Sequence, residues 1–395
     1  MRKFYKITPE GTRDLLFEEC EELLREKREL REHFASYGYK QVNTPNLEYY
    51  DVFNVNSAGI AQEKMFKLTD GNGRIMVLRP DNTFPIARLV STSLQHQQRP
   101  IRIAYNQSVH SVGNSLRGKS CQFEQSGIEL IGADGKAADL EVITIAIETM
   151  KRFGANFRFE IGHAQVFKTL IAELPIDADT GEEIRRIIEQ KNYPELSQML
   201  EGMEQTKAVV ALKKLPRLFG GVEILDRAAK LCEGLSCVSC LEYLREIYND
   251  LSALGYGDSV IIDLGLVNRT EYYTGVIFGC YVNTVGDSVL SGGRYDNLLE
   301  QFGTHDPAIG FAVNLSAMTS FAMKNITEKQ KAADILVACI SGKTSEVEAV
   351  KKVRELIAAN PGKVVISGWF DSKNEAEKYA EENIINETVY YGEGK

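Results

Sequence analysis

The most constraining feature of this sequence is a long polar stretch between two strand-like runs. Ile101–Tyr105 and Gly127–Ile131 have strand character, and the segment His110–Gln125 between them is polar and contains glycine. This pattern predicts a β-hairpin. Loops of this composition often hold a phosphate, yet the half from His110 to Leu116 contains no arginine or lysine. A phosphate site here would lack its usual positive charge.

Apolar periodicity predicts helices and strands on both sides of this hairpin. A stripe of apolar residues predicts a helix from about 13 to 36, and two apolar runs around Asp70–Gly73 predict a hairpin over 66–78. The region from about 166 to 255 is mostly helical by period, and we interpret it as an inserted helical subdomain. The remaining predicted elements are helices at about 82–93, 138–153, 294–302 and from near Ile309, and strands at about 157–162, 259–264, 275–283 and near Val289.

The tail from about 330 to 395 has a different pattern. Strand-like runs alternate there with helical ones, which predicts a small βαβαβ unit. Its predicted elements are strands at 334–339, 363–367 and 388–391 and helices at 345–359 and 375–382. The whole sequence therefore predicts an α+β protein, with a mostly antiparallel sheet flanked by helices over 1–325 and a small α/β domain over 330–395.

Composition argues against several classes of function. A net charge of −9 is unlike that of proteins that follow a nucleic-acid backbone, which need a basic field. The sequence has neither a run of about 18 apolar residues nor a signal-peptide core, so we expect a cytoplasmic protein without a membrane span. Seven scattered cysteines agree with that expectation. Cys237 and Cys240 form a CxxC without a second pair, which favours buried thiols over a metal site.

Four clusters of polar and aromatic residues fall on segments otherwise predicted as strands. Polar side chains are costly to bury unless they are paired, so four clusters on one sheet suggest a single lined pocket. For any one cluster, the alternative is a solvent-facing side of a strand. The clusters are Arg79–Thr83, Gln122–Glu129, Glu271–Gly275 and Ser291–Asp296.

These clusters resemble the core of class II histidyl-tRNA synthetases, in the same order along the chain. The similarity covers residues from about 5 to 320 and implies a class II synthetase-like antiparallel sheet. Pro9–Asp14 and Thr44–Glu48 resemble the first class II motif, and Gln122–Gln125 with Glu129 resembles the end of the second. The other matching segments are Arg79–Thr83, Glu271–Gly275, Gly292–Asp296 and, in the place of the third motif, Gly310–Met318.

The resemblance implies three arginines that hold ATP, and this sequence has none of them. Ser111, Asn268 and Ala317 occupy the corresponding positions. A charge-assisted hydrogen bond contributes roughly 1.5–3 kcal/mol, so losing three costs on the order of 4.5–9 kcal/mol if they add. That is at least about a thousandfold in rate, and we therefore expect no adenylation activity. Whether Arg117 and Lys119 in the loop bind an anion is left open.

The amino-acid side of the implied site is largely retained. By resemblance, Glu129 and Tyr273 would meet the imidazole of a bound histidine. The α-amino and carboxylate groups would meet Asp81, Thr83 and Gln125, and the tyrosines Tyr272 and Tyr295 would line the site. Asp81 stands where the family has glutamate, one methylene longer, so its contact is the least secure of the set.

A histidine pocket without ATP chemistry resembles the regulatory subunits of ATP phosphoribosyltransferase, a synthetase-like family. The resemblance implies a non-catalytic subunit without cofactor, which completes a short catalytic subunit in the first step of histidine biosynthesis and confers feedback inhibition by histidine. It also implies a homodimer within a hetero-oligomer. The tail resembles a shortened anticodon-binding domain, but its net charge of −2 offers little for tRNA. The alternatives are an active histidyl-tRNA synthetase and a free histidine-binding paralogue.

Overall fold

Two units divide the chain, one from Met1 to Met323 and the other from Lys324 to Lys395. The structure is a computed structural model, and it describes residues 4–54, 60–113, 120–267, 272–283, 285–325, 331–340 and 346–391. Four residues for which the sequence makes predictions lie outside these described residues, namely Arg117, Lys119, Asn268 and Glu271.

The larger unit is built on strands that are mostly short. In chain order they are β1 (Lys40–Gln41), β2 (Leu47–Tyr49), β3 (Lys67–Thr69), β4 (Ile75–Leu78), β5 (Ile101–His110), β6 (Gln122–Ile131), β7 (Phe157–His163), β8 (Phe219–Gly220), β9 (Val260–Asp263), β10 (Val276–Val282), β11 (Leu290–Arg294) and β12 (Ala308–Asn314).

The principal sheet has nine strands in the order β1-β5-β6-β12-β11-β10-β7-β9-β8. Its neighbours pair antiparallel, except that β1 with β5 and β7 with β9 are parallel within the described chain. β5 and β6 pair over ten residues each, from Ile101 opposite Ile131 to His110 opposite Gln122, which confirms the long hairpin. A separate antiparallel sheet holds β2, β4 and β3. The predicted α+β class is confirmed.

Helices cover both faces of this sheet. They are α1 (Phe17–Ser36), α2 (Thr83–Thr92), α3 (Lys136–Arg152), α4 (Ala164–Ala172), α5 (Ala178–Glu189), α6 (Tyr193–Glu201), α7 (Lys207–Lys214), α8 (Glu223–Leu231), α9 (Val238–Ala253) and α10 (Leu315–Asn325). The run from α4 to α9 is the predicted helical insertion. Four of its helices begin at side chains that accept a backbone N–H, namely His163, Asp177, Asn192 and Thr206. Within the described chain, no helix is both long and apolar enough to cross a membrane.

Side chains alternate between two cores because successive residues of a strand point to opposite faces. Ala104, Ile128 and Leu130 enter the core that contains residues of α1 and α3. Ile103 and Tyr105 enter the other core, together with residues of α2. The candidate pocket lies on this second face.

Two predicted helices near the end of this unit are wrong. The segment predicted as a helix from 294 to 302 begins with Arg294, the last residue of β11, and contains only a short 3₁₀ helix at Leu299–Phe302. The helix predicted from near Ile309 begins at Leu315, because Ala308–Asn314 forms β12. β12 is a central strand covered on both faces, so its residues show none of the polar–apolar alternation that identifies a half-exposed strand.

The smaller unit is the predicted βαβαβ arrangement. Its elements are β13 (Ile335–Ile340), α11 (Glu346–Ala359), β14 (Val365–Phe370), α12 (Lys373–Glu382) and β15 (Glu387–Tyr391). The three strands pair in parallel in the order β14-β13-β15. Two small apolar cores form, one containing Ala376 and Ala380 of α12 and the other containing Ala349 of α11.

Candidate ligand-binding pocket

All seven side chains predicted to bind the ligand line one cavity. The cavity has a volume of about 100 Å³, well above the roughly 10–15 Å³ that one water needs. It is formed by β5, β6, β11 and β12, by the start of α2, and by the segment before β10. The seven residues are Asp81, Thr83, Gln125, Glu129, Tyr272, Tyr273 and Tyr295.

Glu129 is a buried carboxylate at the centre of this cavity, and its side chain is held by two hydroxyl groups. Thr83 Oγ1 donates to its Oε1 at 3.0 Å, and the Tyr295 hydroxyl donates to its Oε2 at 2.5 Å. Only 1% of the residue is exposed. Burial raises the pKa of Glu129 to about 8 against these two hydrogen bonds, and the charge of Asp81 raises it further. Among the described residues no cation contributes to this shift, and in the empty pocket the group is therefore mostly protonated near pH 7.

Gly310 makes room for the Glu129 carboxylate. The two residues are directly opposite in the register of β6 and β12. A Cβ atom added to Gly310 would lie 1.7 Å from Oε2 of Glu129 and 2.5 Å from the carbonyl oxygen of Ile128. Any larger residue would therefore occupy the space of the carboxylate, and this close approach explains the glycine.

The start of α2 carries the polar end of the cavity. Asp81 is half-buried, and its Oδ1 accepts the backbone N–H groups of Thr83 at 2.7 Å and Phe84 at 3.2 Å. Burial raises the pKa of Asp81 in spite of these bonds. Asn82 Nδ2 donates to Oε1 of Gln125 at 3.0 Å, which links α2 to β6.

A buried network fixes this end of the cavity from behind. Gln107 Nε2 donates to Asn82 Oδ1 at 3.3 Å, and Oε1 of Gln107 accepts from Nη1 of Arg79 at 3.0 Å. Arg79 also donates to the carbonyl oxygens of Thr44 and Ser108, both at 2.7 Å. Its guanidinium is therefore a structural group that supports the pocket.

Three tyrosines form the aromatic wall. The ring centroids of Tyr272 and Tyr273 lie 4.9 Å apart, and those of Tyr272 and Tyr295 lie 5.6 Å apart with the rings nearly perpendicular. All three residues are buried. Aromatic faces beside a buried carboxylate suit a planar cation.

Sequence reasoning missed several residues of the site. Gly310 fell within the third-motif match, but nothing indicated its contact with Glu129. Asn82 stood inside the Arg79–Thr83 cluster, which was a usable signal, whereas Gln107 is revealed only by the pairing of β5. The other missed lining residues are Tyr105, Ser291, Phe311 and Ala312.

A larger cleft of about 530 Å³ lies beyond the pocket, along β6 and β12. Gln122, Glu124 and Asn314 line it, together with Ala317 in α10. Arg13 also lines the cleft, but its guanidinium donates to both carboxylate oxygens of Glu19.

Two of the positions implied to have lost arginine, Ala317 and Ser111, do not line the pocket around Glu129. Ala317 has its backbone N–H bonded to Oδ1 of Asn314 at 3.1 Å, as part of the start of α10. Ser111 follows β5, is half-buried, and donates its backbone N–H to the carbonyl oxygen of Cys121 at 2.9 Å. Asn268 lies outside the described residues.

Known proteins resemble this chain over nearly its whole length. The histidyl-tRNA synthetase family profile matches residues 11–318. A relative from Clostridium kluyveri called "ATP phosphoribosyltransferase regulatory subunit" is 39% identical over 384 residues, which cover 96% of this chain and 97% of the relative. A relative of the same name from Clostridium acetobutylicum is 37% identical, covering 99% and 96%.

Solved structures agree with the sequence relatives. One described as an ATP phosphoribosyltransferase regulatory subunit/histidyl-tRNA synthetase from Bacillus halodurans has a TM-score of 0.84 at 29% identity, covering 99% of this chain and 100% of that one. Histidyl-tRNA synthetase from a Nostoc species shares the fold, with a TM-score of 0.76 at 22% identity, covering 97% and 90%. The chain therefore belongs to the histidyl-tRNA synthetase-like family, in the branch of the ATP phosphoribosyltransferase regulatory subunits.

Proposed function

We propose that this chain is a non-catalytic subunit that binds histidine and regulates a short catalytic subunit of ATP phosphoribosyltransferase. The names of its relatives support the regulatory role. One structural observation carries the histidine part: a buried carboxylate, held by two hydroxyl groups and facing aromatic rings, is retained beside a cleft whose arginine is already paired.

The pocket suits histidine through the protonation state of Glu129. Near pH 7 the imidazole of free histidine, with a pKa of about 6.5, is mostly neutral, and Glu129 in the empty pocket, with a pKa of about 8, is mostly protonated, so the two meet with one shared proton and no net charge. The proton favours Glu129 by about 1.5 pKa units, or roughly 2 kcal/mol, and the attraction between the two charges in the closed cavity must exceed that amount for the proton to move to the imidazole. The product is an imidazolium–carboxylate pair that is charge-assisted and shielded from water. Thr83 and Tyr295 stabilise the carboxylate, and the tyrosine faces stabilise the imidazolium.

The other end of the pocket suits the backbone of an amino acid. Oδ1 of Asp81 accepts two backbone N–H groups, and its Oδ2 is the atom proposed to accept the α-ammonium group. Gln125 offers its amide beside it, held in place by Asn82.

The larger cleft does not favour adenylation. Three phosphate-facing arginines are implied by the synthetase resemblance, whereas in the described lining of the cleft Arg13 is paired with Glu19 and Glu124 is paired with Lys27. A transition state on the α-phosphate needs cations that face it. In the proposed function the chain therefore senses histidine.

Feedback inhibition requires that histidine bind the less active state of the complex more tightly. The coupling expected for such a system is about 1–3 kcal/mol, or roughly 5–150-fold in affinity. Reconstitution tests this proposal. The short catalytic subunit is assayed for phosphoribosyl transfer alone, with this chain, and with the Glu129→Gln variant, over a range of histidine concentrations.

We expect the chain to co-purify with the catalytic subunit, to raise its activity, and to make it sensitive to histidine. The Glu129→Gln complex should keep the activity and lose most of the sensitivity. Absence of both binding and activation would refute the regulatory role and leave a free histidine-binding paralogue. Histidine-dependent exchange of pyrophosphate into ATP would instead identify an active synthetase. Light scattering of the chain alone tests the proposed homodimer.

A further inference from the structure

A second cavity lies behind Tyr273, between the helical insertion and the sheet. Its volume is about 300 Å³, which is three times the roughly 100 Å³ of the pocket around Glu129. α4 and α5 form two walls, and β10 forms the third through Ile277. Most of the lining is apolar, including Phe167, Ile171 and Leu266. Cavities of this size and character are typical of small-molecule sites.

Gly181 allows α4 and α5 to approach each other at one edge of this cavity. A Cβ atom added to it would lie 3.2 Å from Cγ2 of Ile171, tighter than ordinary contact. A larger residue at position 181 would therefore push against Ile171 at the edge of the cavity.

Charged groups stand at fixed places around the apolar surface. Arg185 is buried, and its guanidinium bonds to Glu182 at 2.7 Å and Glu189 at 3.3 Å. Lys168 Nζ donates to the carbonyl oxygen of Tyr273 at 2.8 Å. Lys168, Arg185 and Glu182 all line the cavity, so a ligand there would meet both signs of charge.

We propose that this cavity is a second ligand site, for a zwitterionic amino acid with a large apolar side chain. The apolar body would lie against Phe167, Ile171 and Ile277, whose burial excludes water from it. The carboxylate would lie near Lys168, and the ammonium group would lie near Glu182, whose side chain is 54% exposed at the rim.

Tyr273 connects this site to the pocket around Glu129, because it lines both cavities. Its backbone is held from the second cavity by Lys168, and its ring contacts Tyr272 in the first. A ligand behind Tyr273 therefore changes the wall that histidine is proposed to meet. This coupling, unlike the site itself, rests on the proposed function.

Calorimetric titration of the full chain with L-leucine, L-phenylalanine and L-tryptophan tests the site, with glycine as the negative control. We expect at least one of the three to bind with millimolar or better affinity. Ala178→Trp fills the cavity from α5, and it should weaken that binding about tenfold or more. Ala172→Trp is the matched control, because Ala172 is also an exposed helical alanine but does not appear in the lining.

Phe167→Ala provides an independent variant. It enlarges the cavity, so the affinity for L-tryptophan should rise relative to the affinities for L-leucine and L-phenylalanine. If none of the three amino acids binds, or if both tryptophan variants weaken binding equally, the site is refuted. For the coupling, we expect saturation with the bound amino acid to change histidine affinity by about fivefold or more. An unchanged histidine affinity would refute the coupling alone, and a chain that binds the apolar amino acid without binding histidine would refute the proposed function while supporting the site.

Discussion

Replacing Glu129 with glutamine tests two consequences of a buried carboxyl group. One is its contribution to histidine binding, and the other is the pH dependence that it gives to the stability of the protein. The variant keeps the shape of the side chain and removes its ability to carry charge. A hydrogen bond to a charged group contributes roughly 1.5–3 kcal/mol, so we expect histidine to bind about 10–150-fold more weakly. Thr83 and Tyr295 both donate to the carboxylate, and one of these hydroxyl groups must turn to accept from the new amide.

The same change should stabilise the empty protein, by an amount that depends on pH. The pKa of Glu129 is about 8 in the folded chain and close to 4.5 when unfolded. Between these values the folded state holds a proton that the unfolded state releases, so the free energy of unfolding falls by about 1.4 kcal/mol per pH unit as pH rises. The decline ends near pH 8, where both states are ionised. Glutamine has no such dependence.

Thermal or urea unfolding at pH 5, 6.5 and 8, together with calorimetric titration of histidine, measures both effects. The stability of Glu129→Gln relative to the parent should rise steadily over this range. Glu124→Gln is a matched control on the same strand: burial raises the pKa of Glu124, but hydrogen bonds from Lys27 and Ser108 outweigh that effect and lower it. That variant should show no such gain. The role of Glu129 would be refuted if the variant bound histidine as tightly as the parent does. It would also be refuted if the difference in unfolding free energy between variant and parent did not change with pH.

Three further predictions follow from the same geometry. Histidine affinity should be highest between about pH 6.5 and 8 and should fall about tenfold per pH unit on either side of this window. Below the window Glu129 must lose a proton for the ion pair to form, and above it the imidazole must gain one. Calorimetric titrations in which the affinity rises continuously from pH 6 to 9 would contradict this prediction. Gly310→Ala should cost at least about 1–3 kcal/mol in urea unfolding and abolish histidine binding, whereas Gly286→Ala, with open space around it, should do neither. Ser111→Arg alone should give no histidine-dependent pyrophosphate–ATP exchange, since one arginine restores only one of three implied contacts; measurable exchange would overturn that reasoning.

Polar residues on strand-like segments indicated the four clusters, and the resemblance to histidyl-tRNA synthetases singled out the seven side chains within them. The seven predicted side chains come together, and the hairpin that carries Gln125 and Glu129 forms as expected. β12 could not be predicted, because a strand buried on both faces shows no alternation. The network through Gln107 and Asn82 was equally hidden, since it depends on side chains 25 residues apart in the chain that meet only after β5 and α2 pack.

The buried network behind the pocket has a consequence for how such a protein can change over evolution. The hydrogen bonds among Arg79, Gln107, Asn82 and Gln125 run from the small sheet through α2 to β6. None of these three bonds involves Ala317 or Ser111, where arginines are implied to have been lost. The hydrogen bonds that fix the proposed histidine pocket therefore do not pass through these two side chains. Substitutions at Ala317 or Ser111 leave these bonds in place, so the neighbouring cleft can change while the pocket keeps its form.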